Sequence, residues 1–158
     1  QVPIRENFED TNNLVFQNSN NTSINYDVTF RDQEVFEGDA SLKAVFDNTG
    51  KEQFFEISTK DATPLNPAAS NYLEVNFKTN IEVEMGVIAR SPDGGTQQKR
   101  SKLVLNETDG EWTKIYINLK DNLQDYPRNF QYRFFFGAIK NSSGPATFYL
   151  DNVKLIHD

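Results

Sequence analysis

The strictest pattern in this chain is a period of two. In the run YLEVNFK, Leu73, Val75 and Phe77 point one way while Tyr72, Glu74, Asn76 and Lys78 point the other. A helix turning every 3.6 residues would scatter these apolar positions around its axis, whereas a strand with one dry face collects them. WTKIYINLK repeats the pattern, with Thr113, Ile115, Ile117 and Leu119 opposed to Trp112, Lys114, Tyr116 and Asn118. Similar runs cover 13–18, 24–31, 41–47, 53–59, 82–90, 101–107, 131–139 and 147–156. About ten strands are expected.

Turn chemistry brackets these runs. Asn48-Thr49-Gly50, Pro64 to Pro67, Pro92-Asp93-Gly94-Gly95, Asp109-Gly110 and Ser142-Ser143-Gly144-Pro145 supply fixed φ and left-handed positions where the chain must reverse. No segment carries an apolar stripe of helical length, and only Asp121 to Tyr126 reads as one short turn of helix. Two packed antiparallel sheets follow, with helix below about 10% of the chain. In QYRFFFGAI both faces are aromatic, which marks a central strand covered on both sides. A length of 158 residues suits one domain, expected over 6–158 behind a tether at 1–5 that contains Pro3.

Composition removes whole classes of function. There is no cysteine, hence no disulfide framework and no thiolate metal site or nucleophile. The single histidine, His157, is penultimate, which argues against a Ser-His-Asp triad or a histidine-built zinc site. A net charge of −7 repels nucleic acid and anionic lipid at long range, so neither is an expected partner. The longest apolar stretch, Phe134 to Ile139, is far short of the roughly 18 to 20 residues that cross a bilayer. Glu82 and Glu84 share one face of a strand, as a pair of catalytic carboxylates would, and resemble the E-x-D-x-x-E strand of jelly-roll glucanases. Val87 stands where that pattern has its third acid, and Glu84 replaces its Asp. The chain is expected not to be an enzyme.

Four segments in order resemble the carbohydrate-binding, galactose-binding-like jelly-roll modules: ENFED (Glu6 to Asp10), VFEGDASLKA (Val35 to Ala44), GEWTKIYINL (Gly110 to Leu119) and FYLDNVKL (Phe148 to Leu155). The resemblance spans nearly the whole chain and implies an all-β, two-sheet antiparallel jelly-roll β-sandwich. It further implies a structural calcium ion held by Glu9, Glu37, a carbonyl of Asp39 or Ala40, and Asp151, in keeping with the six to eight oxygens that calcium takes. Asp151 alternates with Phe148 and Leu150 and so need not be buried. The ligand implied is a neutral polysaccharide or oligosaccharide, stacked on outward aromatics. Candidate contacts are Tyr72, Glu74, Asn76, Arg90, Trp112 and Tyr116. An accessory or adhesive sandwich that docks other domains of a larger chain and binds no sugar is the alternative, and an exposed aromatic platform separates the two. The expected address is extracellular, cell-surface or periplasmic.

Overall fold

A computed structural model describes residues 4–6, 8–9, 14–18, 24–59, 65–127 and 129–157. Eleven strands are present among them, in two antiparallel sheets. The first sheet runs β3 (Asn25–Thr29), β4 (Ser41–Phe46), β11 (Ala146–His157), β6 (Asn71–Thr79) and β9 (Thr113–Asn118), with β1 (Ile4–Glu6) also paired to β11. The second runs β2 (Leu14–Asn18), β5 (Glu52–Thr59), β10 (Gln131–Ile139), β7 (Val83–Arg90) and β8 (Gln97–Leu105). Helix among the described residues is confined to a 3-10 turn at Asp32–Glu34 and to α1 (Lys120–Leu123).

The alternation sorts side chains as expected. Leu73, Val75 and Phe77 of β6 enter the core, and Ile117 of β9 joins them. Tyr132, Phe134, Phe136 and Ala138 of β10 point into the same space. The two sheets meet through a stack of rings. Phe55 lies on Phe136 at 5.5 Å between centroids, Phe136 on Phe148 at 5.5 Å, and Phe148 on Phe77 at 6.3 Å, so β5 and β10 are joined to β11 and β6. Each such buried phenylalanine contributes roughly 1.5–3 kcal/mol from burial alone.

Three local features depart from the sequence reading. Ile4 and Arg5, expected in a tether, pair with Leu155 and Lys154 of β11. Three residues after a proline are too few to show a period, so the strand was invisible as pattern. Residues 1–3 lie outside the described part. The second departure is in β11, whose register slips between Asp151 and Lys154. Asn152, at φ 48°, is the extra residue of a bulge. Phe148 and Leu150 face the core before it and Val153 and Leu155 after it, so the apolar phase changes from even to odd positions. The third departure is that Asp151 is fully buried: it keeps the outer face opposite Phe148 and Leu150, level with Asn76, and the loop that precedes β4 covers it there.

Candidate ligand-binding face

The outer surface of the first sheet gathers most of the residues singled out in the sequence. Register places Tyr72 of β6 between Ile156 of β11 and Asn118 of β9, and one step along places Glu74 between Lys154 and Tyr116. Tyr72 and Tyr116 are therefore diagonal neighbours on adjacent strands, at about 7–8 Å by ordinary sheet geometry. Both rings are open to solvent, at 38% and 61%, with Ile156 at 38% beside them. Two open tyrosines side by side on adjacent strands make an aromatic platform.

Glu74 anchors it from below. The side chain is 5% exposed, and its Oε1 accepts from Lys154 Nζ at 3.0 Å and lies 3.4 Å from Lys114 Nζ. Burial pushes its carboxyl up, but hydrogen bonds from Lys154 and from the Tyr116 hydroxyl, with the charges of Lys154 and Lys114, outweigh it and hold the group below its ordinary value. The same bond pushes the Tyr116 phenol up, since ionising it would set two anions side by side. Glu74 thus fixes the orientation of Tyr116 more than it offers itself to a ligand.

Asn76, the next outward residue on β6, is fully buried and donates from Nδ2 to the Asn152 carbonyl at 3.5 Å. It cannot touch a ligand in this arrangement. Trp112 shares the outer face but stands at its far end, half-buried against Phe36 at 5.5 Å and Tyr149 at 6.4 Å between centroids. Lys78 Nζ sits over both the Trp112 and Tyr149 rings, at 5.4 and 5.0 Å, and donates to the Gln33 carbonyl. Arg90 is on the second sheet, paired with Gln131 and Gln97, and is removed from the other five candidates. Alternation reports which face a residue takes, not which sheet its strand joins.

The outer surface of the second sheet carries a different apolar floor that sequence reasoning did not single out. Phe135 of β10 and Ile88 of β7 are buried there, outside the main core, and Phe54 of β5 lies at 5.9 Å from Phe135. Glycines on the neighbouring strands make room. A Cβ on Gly86 would come 2.5 Å from Phe135 Cε1, and one on Gly137 would come 2.6 Å from Phe54 Cβ. Lys99 Nζ caps both rings at 4.4 Å from each centroid and is ion-paired with Glu52. Arg133 pairs with Glu56 at 3.1 Å alongside. The signal for this floor is the two-sided aromatic pattern of QYRFFFGAI with its embedded glycine. At the end of the same sheet Glu82 and Glu84 do share a groove, together with Glu52 and Glu107.

Of the three carboxylates implied for calcium, Glu9 and Asp151 reach the loop 36–41 from elsewhere in the chain, and Glu37 belongs to that loop. The groups they meet there are donors. Asp151 Oδ2 accepts from the backbone N–H of Phe36 at 3.2 Å, that of Glu37 at 3.1 Å and the Ser41 hydroxyl at 2.8 Å, and its Oδ1 accepts from the N–H of Asn152 at 2.6 Å. Glu9 Oε1 accepts from the N–H of Asp39 at 2.6 Å and of Ala40 at 3.1 Å. Glu37 Oε2 accepts from Asn152 Nδ2 at 2.6 Å. Three donors thus converge on Oδ2 of Asp151 and one on Oδ1, so the side of the carboxylate that faces the loop is taken by donors. Burial pushes the Asp151 carboxyl up, and these same hydrogen bonds pull the other way. Among the described residues no three acidic or histidine side chains converge as metal ligands. The groups placed around Asp151 are hydrogen-bond donors.

No protein-family model matches the chain, and no curated protein matches it. Solved structures do. The family 11 carbohydrate-binding module from Clostridium thermocellum, in complex with a β-1,3-1,4-mixed-linked tetrasaccharide, is 13% identical with TM-score 0.64, covering 99% of this chain and 96% of that one. The CBM22-1 xylan-binding domain of Paenibacillus barcinonensis Xyn10C is 13% identical with TM-score 0.69, covering 99% and 94%. TmCBM61, in complex with β-1,4-galactotriose, is 12% identical with TM-score 0.52, covering 92% and 88%. The chain therefore has the jelly-roll β-sandwich fold of the carbohydrate-binding modules.

Proposed function

We propose that this protein is a non-catalytic glycan-binding module that lays a neutral oligosaccharide or polysaccharide across Tyr72 and Tyr116. The observation that carries the reading is the pair of solvent-open tyrosine rings on adjacent strands of one outer face. A pyranose presents an apolar C–H face that stacks on such rings, while Asn118, Lys154 and Lys114 around them can meet its hydroxyls. The net charge of −7 favours an uncharged glycan over an anionic one. The fold is shared with modules whose structures were determined with a mixed-linked glucan tetrasaccharide or with galactotriose, and with a xylan-binding domain. Such a module meets its polysaccharide outside the cytoplasm.

A second reading keeps the function and moves it to the opposite sheet. It is favoured by the Phe54 and Phe135 floor under Lys99, flanked by the Arg133–Glu56 pair, because swinging one lysine aside would open an apolar strip with charged hydrogen-bonding rims. Retention on mixed-linked β-glucan, xylan and β-1,4-galactan tests both. Loss of retention in Tyr72→Ala and Tyr116→Ala supports the tyrosine platform, whereas loss only in Phe54→Ala supports the second sheet. A folded protein retained by no neutral glycan is an accessory or adhesive sandwich instead.

A further inference from the structure

The loop 36–41 is built as a receptacle for carboxylates. It aims the N–H groups of Phe36, Glu37, Asp39 and Ala40, with the Ser41 hydroxyl, at oxygens that arrive from two distant parts of the chain. Asp151 comes from the β11 bulge and Glu9 from the segment after β1. Gly38, at φ 78°, has no Cβ, and one placed there would run into the Glu9 carboxylate. Phe8 adopts φ 59°, unusual for a bulky residue, and in doing so buries its ring in the core while carrying Glu9 to the loop. Asp151 and Ser41 are both fully buried, so bulk water cannot satisfy their bond in exchange.

A cation at this position would need oxygens turned inward and N–H groups turned away. The opposite is found: N–H and O–H donors point inward, and a bound cation would face their positive ends. We propose that the clasp joining the Glu9 segment, the 36–41 loop and β11 closes by direct hydrogen bonds from the loop to Glu9 and Asp151, and takes no calcium ion. Its strength then depends on acceptor oxygens at Glu9 and Asp151, not on the free calcium concentration.

Two substitutions at Glu9 separate direct bonding from metal ligation. Glu9→Gln keeps a carbonyl oxygen for the N–H groups of Asp39 and Ala40 and is expected to melt within about 2 °C of the unsubstituted protein. Glu9→Ala leaves both donors without their acceptor and is expected to melt roughly 3–8 °C lower, as for the loss of one to two kcal/mol in a domain of this size. Excess EDTA, or excess calcium chloride after it, should leave the melting temperature of the unsubstituted protein unmoved, since a ion held by the native state alone would raise it by mass action. Asp151→Asn is avoided as the primary probe because it places an amide against buried donors and can prevent folding. A fall of the melting temperature in EDTA that calcium restores, about one calcium per chain retained after purification, or a Glu9→Ala protein as stable as Glu9→Gln would each overturn the proposal.

Discussion

At the scale of single residues, what matters most is where a side chain is missing. Gly86 sits on β7 directly opposite Phe135, and the ring uses the volume a Cβ would need. Gly86→Ala must push Phe135 off its position or bend β7 away from the Arg100 carbonyl, and neither neighbour is the free end of a flexible chain. Overpacking of this kind costs about 1–3 kcal/mol, which urea denaturation would measure as a lower midpoint with unchanged slope. Glu74 offers a second residue-scale test. Its folded pKa lies below the ordinary 4.5, so its stabilisation is fully present above that value and is lost as pH falls through the lower, folded pKa. The stability gap between the unsubstituted protein and Glu74→Gln should therefore be largest at neutral pH and narrow below about pH 4.5, as read by denaturation midpoints across the acid range. A gap that grew in acid would contradict the role given to Lys154 and Lys114.

At the scale of elements, β11 is the hinge of the architecture and the place where sequence pattern was least informative. The bulge lets one strand take β4 as partner over Ala146–Leu150 and β1 over Val153–Leu155 on the same side, with β6 on the other throughout. Asn152 is suited to it because a short polar side chain tolerates φ 48° and its amide reaches Glu37. Asn152→Val should lower stability by about 1–2 kcal/mol from backbone strain alone, with more lost through the Glu37 bond, and it should shift the melting curve without abolishing strand content in circular dichroism. The runs YLEVNFK and WTKIYINLK were fully legible, since a period of two fixes the face of each residue and neither strand is interrupted. In FYLDNVKL the face of Asp151 was legible, opposite Phe148 and Leu150, but its burial was not, because the loop that covers it is remote in sequence; the phase after it was lost because alternation assumes no inserted residue. Arg90 was grouped with the wrong strands for a related reason: β7 shows the same alternation as β6 and β9, but it belongs to the other sheet, and strand order is set by packing across the whole chain. The direction of Asn76 was legible, while its burial beneath the bulge was not.

At the scale of the whole molecule, the sandwich presents two outer faces of different character. One carries open tyrosines over a carboxylate held by two lysines; the other carries a phenylalanine floor closed by Lys99. The core between the sheets holds neither Tyr72 nor Tyr116, so truncating these open rings should change binding without unfolding the domain. Isothermal titration with mixed-linked gluco-oligosaccharides, xylo-oligosaccharides and β-1,4-galacto-oligosaccharides, on the unsubstituted protein, Tyr72→Ala, Tyr116→Ala and the double variant, tests the central claim most directly. Binding to at least one neutral oligosaccharide is expected, weakened roughly 2- to 10-fold by each single substitution, as 0.5–1.5 kcal/mol of stacking implies, and lost in the double variant with its melting temperature preserved. Binding that persists unchanged in the folded double variant, or no heat with any neutral glycan, would contradict it.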